Sequence, residues 1–223
     1  MAEIGAVVFD LDGVLLQSEE LWDDVRRELA AAAGRRWPAT ATRDMMGMSS
    51  PEWSRYLVEQ VGLPGTPEEV NERVLDELLG RYRDELPWID GAPEAVERMA
   101  ALWPLGLASS SNRQIIDHAL EIGGLTRHFA VTVSSEEVPR GKPAPDVYLE
   151  TARKLAIAPA RCAAIEDSSN GLRSAAAAGM RVIAVPNPAH PPDPDALSLA
   201  AVAIGSLAAL TPVVAGGERE AGD

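Results

Sequence analysis

The stretch Ile4–Leu15, IGAVVFDLDGVL, decides how the rest of this 223-residue chain is interpreted. Its first half is apolar, lacks polar alternation, and contains the β-branched and aromatic residues that strand interiors favour. Such a run predicts a strand that is buried on both faces, as in a parallel sheet. Asp10 and Asp12 follow where the strand ends, and Gly13 permits a sharp change of direction.

Two carboxylates at this place have two possible explanations. Ligands of open α/β sheets bind outside the carboxyl ends of the strands. Carboxylates gathered there are costly unless a positive group shares the space, and a divalent metal ion is the simplest candidate. The alternative is that Asp10 and Asp12 only form a polar transition into a turn, with Asp12-Gly13 as the turn residues. Matching polar groups at the ends of other strands would favour the first explanation.

Composition and charge narrow the class of protein. The chain is 46% hydrophobic and 24% charged, which suits one sizeable domain or a core domain with a smaller insertion. A net charge of -14 disfavours nucleic acid and anionic membranes as partners. No apolar run reaches the roughly 18 residues of a membrane span, and no basic region indicates a signal peptide. Cys162 has no second cysteine with which to form a disulfide. We expect a cytoplasmic protein that is a monomer or a weak homodimer.

The pattern of elements predicts an α/β fold with a helical insertion. Strand and helix signals alternate on either side of a segment that carries only helical periodicity. We predict a Rossmann-like, doubly wound parallel sheet over 1–16 and 87–214, an all-helical cap over 17–86, and a disordered tail over 215–223. Because the cap begins just past the acidic strand end, it would cover that end as a lid. The cap helices are predicted over 18–33, 40–46, 50–61 and from 67 onward.

Polar groups recur at the ends of two further predicted strands. Ser109–Ser111 follow one, Glu166 and Asp167 follow another, and Lys142 lies in a loop between them. Because right-handed crossovers place all strand carboxyl ends at one edge of a sheet, we expect these groups to converge with Asp10. Carboxylates, a hydroxyl and a lysine are suited to phosphoryl transfer, and oxygen ligands favour Mg²⁺ over Zn²⁺. Taken singly, each group has a structural alternative as a turn, cap or solvated loop residue.

The motifs resemble those of a known superfamily. Four ordered segments are similar to the motifs of the haloacid dehalogenase-like hydrolases, and most of all to their sugar-phosphate phosphatase and β-phosphoglucomutase branch. The resemblance implies a Rossmann-like core with a helical cap, a Mg²⁺ cofactor and a small phosphorylated metabolite as substrate. The four segments are Asp10–Leu15, Ala108–Ser111, Gly141–Asp146 and Glu166–Ser168.

The resemblance also implies catalytic roles. Asp10 would be the nucleophile that forms an aspartyl-phosphate, and Asp12 would protonate the leaving oxygen and then activate water. Mg²⁺ would be held by the Asp10 carboxylate, the main-chain carbonyl of Asp12 and Asp167. Glu166 would be a further ligand or a neighbour of the ligands. The presence of Asp12 separates the chain from the dehalogenases, which lack this second acid.

The same comparison with the superfamily assigns the groups that bind the phosphoryl oxygens. Ser109 and the backbone amide of Ser110 would bind one phosphoryl oxygen. Lys142 would bridge the Asp10 carboxylate and the phosphoryl group. The residues that contact the rest of the substrate would lie mainly on the cap. Basic candidates for a substrate group distant from the phosphate are Arg43 and Arg55 on the cap and Arg113 on the core.

The cap departs from the phosphoglucomutase pattern. In that branch a histidine follows four residues after the first cap hydroxyl, here Ser18, and this place holds Trp22. An arginine follows the cap glycine in that branch, whereas Gly47 is followed by Met48, and Gln17 replaces an acid just before Ser18. The missing histidine and the missing arginine favour a phosphatase over a mutase. We expect Ser18, Trp22 and Met48 to contact the substrate.

Three functional hypotheses follow from the sequence. The first is a Mg²⁺-dependent phosphatase that hydrolyses a small phosphorylated metabolite, with a sugar phosphate as the favoured class. The second is a β-phosphoglucomutase-like phosphomutase. The third is a non-catalytic regulator that binds a phosphorylated metabolite in a relic site, against which the intact set of motifs argues.

Overall fold

The protein has a six-stranded sheet in which every pairing of neighbours is parallel. A computed structural model describes residues 4–45, 48–84 and 86–216. The strand order is β3-β2-β1-β4-β5-β6, so β1 lies between two strands that are distant in sequence. This order and the parallel pairing confirm the predicted doubly wound α/β fold. The strands are β1 (Ala6–Phe9), β2 (Leu105–Ser109), β3 (Phe129–Ser134), β4 (Cys162–Glu166), β5 (Arg181–Ala184) and β6 (Val202–Ala203).

Helices cover both faces of the sheet. The side chains of β1 alternate, so that Val7 and Phe9 join one hydrophobic cluster while Ala6 and Val8 join the other. Helices α5, α6 and α10 pack on the Val7 face, whereas α7, α8 and α9 pack on the Val8 face. The helices are α5 (Ala92–Ala100), α6 (Arg113–Ile122), α7 (Asp146–Leu155), α8 (Ser169–Ala177), α9 (Pro194–Leu197) and α10 (Pro212–Gly216).

The described residues between β1 and α5 that lie in regular elements are helical. Their buried side chains belong to the hydrophobic cluster on the Val7 face of the sheet. On the core side, Asn112 precedes α6 and donates from Nδ2 to Oδ1 of Asn71 in α4 at 3.2 Å. The contact between the helical segment and the core therefore includes a hydrogen bond between two asparagine side chains. Its elements are α1 (Glu19–Ala32), α2 (Ala41–Met45), α3 (Ser50–Tyr56), a π-helical turn (Leu57–Val61) and α4 (Pro67–Asp84).

The structure differs from the predicted elements in three places. The helix predicted over 50–61 changes into a π-helical turn at Leu57, which ends before Gly62 in the left-handed conformation. The proline-rich composition of 186–194 predicts a loop, and this stretch leads into helix α9 at Pro194. Helix α10 runs two residues into the predicted tail, because Ala215 is buried against the core. Met46, Gly47 and the remaining tail, 217–223, lie outside the described residues.

No helix in the described part of the chain combines the length and the apolar character that crossing a membrane requires. The longest of them, α4, begins with two acidic residues and ends with arginines. Its described acidic residues are exposed, while Val70, Val74 and Leu78 are fully buried. This pattern is typical of a helix that packs one face against a core.

Glycine in β2 permits helix α7 to approach the sheet. A methyl group on Gly106 would lie 2.5 Å from Cγ2 of Thr151. Gly106→Ala should lower the free energy of unfolding by about 1–3 kcal/mol, because the crowded interior must shift. Gly80→Ala is the matched control, since Gly80 in α4 has no such neighbour within 4 Å. This change should raise the free energy of unfolding by roughly 0.5–1 kcal/mol. Urea unfolding measures both, and equal effects of the two changes would contradict this packing.

Candidate active site

Three polar strand ends meet at one edge of the sheet. Asp10 follows β1, Ser109 ends β2 and Glu166 ends β4, and these three strands are neighbours in the sheet. Asp10, Ser109, Glu166 and Asp167 are all buried. Burial of so many polar groups is costly unless they are paired or bind a ligand. The edge that the sequence singles out is therefore a concentrated polar site.

Lys142 stands between two buried carboxylates. Its Nζ lies 2.9 Å from Oδ1 of Asp10 and 2.5 Å from Oε1 of Glu166. The same atom lies 5.1 Å from the centre of the Tyr148 ring. Burial alone would lower the pKa of Lys142, but the attraction of Asp10 and Glu166 outweighs it and raises the pKa above the usual value. The ammonium group therefore stays charged at neutral pH.

Both oxygens of Glu166 already accept hydrogen bonds. Oε1 accepts from Lys142 at 2.5 Å and from the Tyr148 hydroxyl at 2.6 Å, while Oε2 accepts from the backbone N–H of Asp167 at 3.1 Å. A Cβ on Gly171 would lie 1.9 Å from Oε1, so helix α8 can begin here only because this residue is glycine. Glu166 is thus held in place, and its clearest contact is the one that orients Lys142.

The buried acids fit a divalent cation. Carboxylate oxygens of Asp10, Glu166 and Asp167 lie within 4.8 Å of one another, and Oδ1 of Asp167 is buried without a hydrogen-bond partner. Burial, reinforced by the neighbouring carboxylates, raises the pKa of both Asp10 and Asp167 well above the ordinary value. A bound cation would favour the ionised form of these carboxylates, and their hard oxygen donors suit Mg²⁺.

Asp12 makes a different set of contacts from Asp10. Its Oδ1 accepts from the Ser18 hydroxyl and from Nε1 of Trp22 at 3.3 Å. Its Oδ2 accepts from the hydroxyls of Ser111 at 2.5 Å and Ser109 at 3.4 Å. Ser18 and Trp22 lie at the start of the helical segment, whereas Ser109 ends β2 and Ser111 lies in the loop that follows it. Asp12 is therefore fixed from both sides, at the junction of the helical segment and the core.

The loop after β2 is held by a network of serines. The Ser109 hydroxyl accepts from the backbone N–H of Ser111 at 2.9 Å. The Ser134 hydroxyl donates to the carbonyl of Ser111 at 2.6 Å, and the Ser135 hydroxyl donates to the carbonyl of Ser110 at 3.0 Å. These bonds fix the loop in one conformation beside Asp12. The sequence gives Ser111 no role of its own, although it belongs to the serine run that is expected to converge with Asp10.

The predicted cap residues differ in their distance from the polar cluster. Ser18 and Trp22 are buried and contact Asp12 directly. Met48 is half-buried and packs against the large hydrophobic cluster, and Gln17 is exposed. Near the Lys142 loop the helical segment comes close again, because a Cβ on Gly141 would lie 3.1 Å from Cβ of Ser49, the residue that caps α3.

The chain is similar to known hydrolases and phosphatases. A family described as haloacid dehalogenase-like hydrolase matches residues 4–179. Hexitol phosphatase B of Escherichia coli (strain K12) is 36% identical over 215 residues, which cover 94% of this chain and 95% of that protein. The bifunctional riboflavin kinase/FMN phosphatase of Arabidopsis thaliana is 33% identical over 183 residues, or 81% of this chain, and the match covers 48% of its length.

A solved structure is similar over nearly the whole chain. The crystal structure of CbbY from Rhodobacter sphaeroides in complex with phosphate superposes with a TM-score of 0.82 at 27% identity. The match covers 93% of this chain and 96% of that one. The similarity therefore includes the helical segment as well as the sheet.

Lys142 should be essential for stability as well as for the chemistry of the site. Lys142→Met leaves Asp10 and Glu166 buried without their cation, so the free energy of unfolding should fall by about 3–5 kcal/mol. Lys154→Met is the control, because Lys154 pairs with Glu137 at the surface and its loss should cost less than about 1 kcal/mol. Chemical denaturation at pH 7.5 compares the two. Equal stability of Lys142→Met and wild type would show that the buried carboxylates do not need this cation.

Proposed function

The chain belongs to the haloacid dehalogenase-like hydrolase family, and from this premise we propose that it hydrolyses a small phosphorylated metabolite through an aspartyl-phosphate intermediate. It is a phosphomonoesterase, as the family and the phosphatases among its relatives indicate. We favour a sugar or polyol phosphate as substrate, since a hexitol phosphatase is similar along almost its whole length. The cytoplasmic location and the monomeric or weakly dimeric state stay predictions.

The observation that carries this proposal is the separation of Asp10 from Asp12. Asp10 contacts Lys142 in the buried acidic cluster, whereas Asp12 is held by hydroxyl and indole donors at the junction with the helical segment. On a regular strand two residues two positions apart would point to the same face, but β1 ends at Phe9 and the chain turns over 11–15, so the two carboxylates meet different partners. One can therefore face phosphorus while the other faces the leaving oxygen.

In the first step Asp10 attacks phosphorus. A bond forms between its carboxylate oxygen and phosphorus while the bond from phosphorus to the substrate oxygen breaks. Asp12 gives its proton to that oxygen, so that the product leaves as an alcohol. The donors around Asp12 hold its carboxyl group in one place during this transfer.

In the second step water attacks the aspartyl-phosphate. Asp12, now a carboxylate, takes a proton from the water as its oxygen bonds to phosphorus. The bond between phosphorus and Asp10 breaks, which releases inorganic phosphate and restores the carboxylate. One acid thus serves as donor in the first half of the cycle and as base in the second.

Lys142 and the serine loop bind the phosphoryl group in this proposal. The ammonium group of Lys142 offsets charge on a phosphoryl oxygen while it holds Asp10 in position. The Ser109 hydroxyl and the backbone amide of Ser110 bind another oxygen. The bonds from Ser134 and Ser135 to the loop keep these groups in place before substrate arrives.

A Mg²⁺ ion would be held by the carboxylates of Asp10 and Asp167 and by the main-chain carbonyl of Asp12. The unpartnered Oδ1 of Asp167 and the close grouping of three buried carboxylates support this site. Glu166 is better placed as a neighbour that orients Lys142, because both of its oxygens already accept hydrogen bonds. When bound, the ion supplies positive charge that stabilises the phosphoryl oxygens.

Hydrolysis is favoured over a phosphomutase reaction by Trp22. Its indole N–H donates to Asp12, and an indole can only donate, so it can fix the carboxylate but cannot relay a proton at neutral pH. The regulator hypothesis is opposed by the ordered cluster of Asp10, Lys142 and Asp167, which a relic site would not need to keep.

An aryl phosphate assay tests the proposal. With Mg²⁺ present, Asp10→Asn should lose at least about a thousandfold of the wild-type turnover of p-nitrophenyl phosphate, because the amide cannot act as nucleophile. Asp76→Asn, the same chemical change at an exposed position of α4, should have no effect. EDTA should abolish wild-type turnover and added Mg²⁺ should restore it. Equal turnover by Asp10→Asn and wild type would contradict the proposal.

A further inference from the structure

Arg26 on α1 forms no ion pair with a described residue, although the charges of Asp23 and Asp12 attract its guanidinium. Its guanidinium carbon lies 4.8 Å from the centre of the Trp22 ring and 4.7 Å from that of Trp53. Within the described residues it makes no ion pair or side-chain hydrogen bond, and its Nε is buried without a partner. The next residue, Arg27, shows the usual behaviour, because it pairs with Asp23. Arg26 is therefore held by two aromatic rings and still has its hydrogen-bond donors available.

The position of Arg26 connects it to the candidate active site. Ser18, Trp22 and Arg26 follow one another at intervals of four residues and so share one face of α1. The first two donate hydrogen bonds to Asp12, the proposed acid that meets the leaving group. Arg26 lies one turn further, about 6 Å along the helix axis. A substrate that extends from Asp12 along this face would reach Arg26 with its far end.

Arg26 combines the absence of an ion pair among the described residues with partial burial. The protein has 34 acidic residues and 20 lysines and arginines, so anionic partners are plentiful. Burial lowers the pKa of Arg26 to about 10, which reflects how poorly its charge is solvated, although the guanidinium stays charged at neutral pH. A partly desolvated cation of this kind gains most from an anion that arrives with a ligand.

The arginines that the sequence suggested for a distal substrate group are placed less well. Arg43 is mostly exposed and lies 3.7 Å from Asp44. Arg55 is exposed. Arg113 is already bound by Asp117 and by residues at the end of β3. Arg26 is the arginine whose donors remain free beside residues that contact Asp12.

We propose that Arg26 binds a second anionic group of the substrate, a carboxylate or a phosphate at the end distant from the scissile phosphate. This inference rests on the proposed function. The planar guanidinium matches either oxyanion with two parallel hydrogen bonds, and its contacts with Trp22 and Trp53 limit the conformations it must give up on binding. The substrate class is then a phosphorylated sugar acid or a sugar bisphosphate.

Matched substrates test this assignment. Gluconate 6-phosphate carries a carboxylate at its far end where glucitol 6-phosphate carries an alcohol, so this pair tests carboxylate binding. Fructose 1,6-bisphosphate and fructose 6-phosphate differ by one phosphate, so this pair tests phosphate binding. Wild type should prefer the doubly anionic member of at least one pair by about tenfold or more in kcat/KM, the ratio that a charge-assisted hydrogen bond supplies. Arg26→Met should remove that preference, Arg26→Lys should retain part of it, and Arg27→Met should keep it whole.

Two outcomes would overturn the assignment. In the first, the wild-type enzyme shows no preference in either pair. In the second, Arg26→Met lowers kcat/KM for both members of a pair by the same factor, as the loss of a purely structural residue would. Binding to Asp10→Asn, followed by tryptophan fluorescence, gives a readout without turnover. If Asp10→Asn proves as active as wild type, the proposed function fails. The ratio of the affinities for the two members of a pair, compared between proteins with Arg26 and with Arg26→Met, then still decides whether this residue recognises the anion.

Discussion

The buried contact of Lys142 with Asp10 and Glu166 is the interaction on which the site depends. It joins the ends of β1 and β4 through a lysine that comes from neither strand. Without the cation the two carboxylates would repel each other in a place that water does not reach. The surrounding sequence serves this contact, since Gly171 leaves room for Glu166 and Tyr148 donates a hydrogen bond to it. The positions of the proposed nucleophile and of the proposed metal site both follow from it.

Asp12 makes the second connection, between core and helical segment. Because Ser18 and Trp22 donate to one oxygen while Ser109 and Ser111 donate to the other, its orientation depends on both parts of the molecule. Any movement of α1 away from the sheet would remove two of these donors. The position of the helical segment and the placement of the proposed acid are therefore coupled, which explains why the residue at position 22 affects the chemistry as well as the packing.

Sequence alone predicts much of this arrangement, because its main signals are local. The apolar run of β1 and its acidic end identify a central buried strand, and the serine run from Ser109 marks the end of β2. Tyr148 and Arg26 could not be singled out in this way. Each lies in an amphipathic helix, where a tyrosine indicates packing and an arginine indicates solvent. Their roles arise only when Glu166 or Trp53, distant in sequence, is brought against them.

The central claim is that Asp10 carries the phosphoryl group during turnover. The direct measurement is to quench the enzyme in acid during steady-state hydrolysis, reduce the acyl phosphate with borohydride, and sequence the tryptic peptides by mass spectrometry. Cleavage after Arg26 places Asp10 and Asp12 in one peptide, so fragmentation must distinguish them. The account predicts reduction of the side chain at position 10 and of no other carboxylate. Modification at position 12, at another residue, or at none while phosphate is released would contradict it.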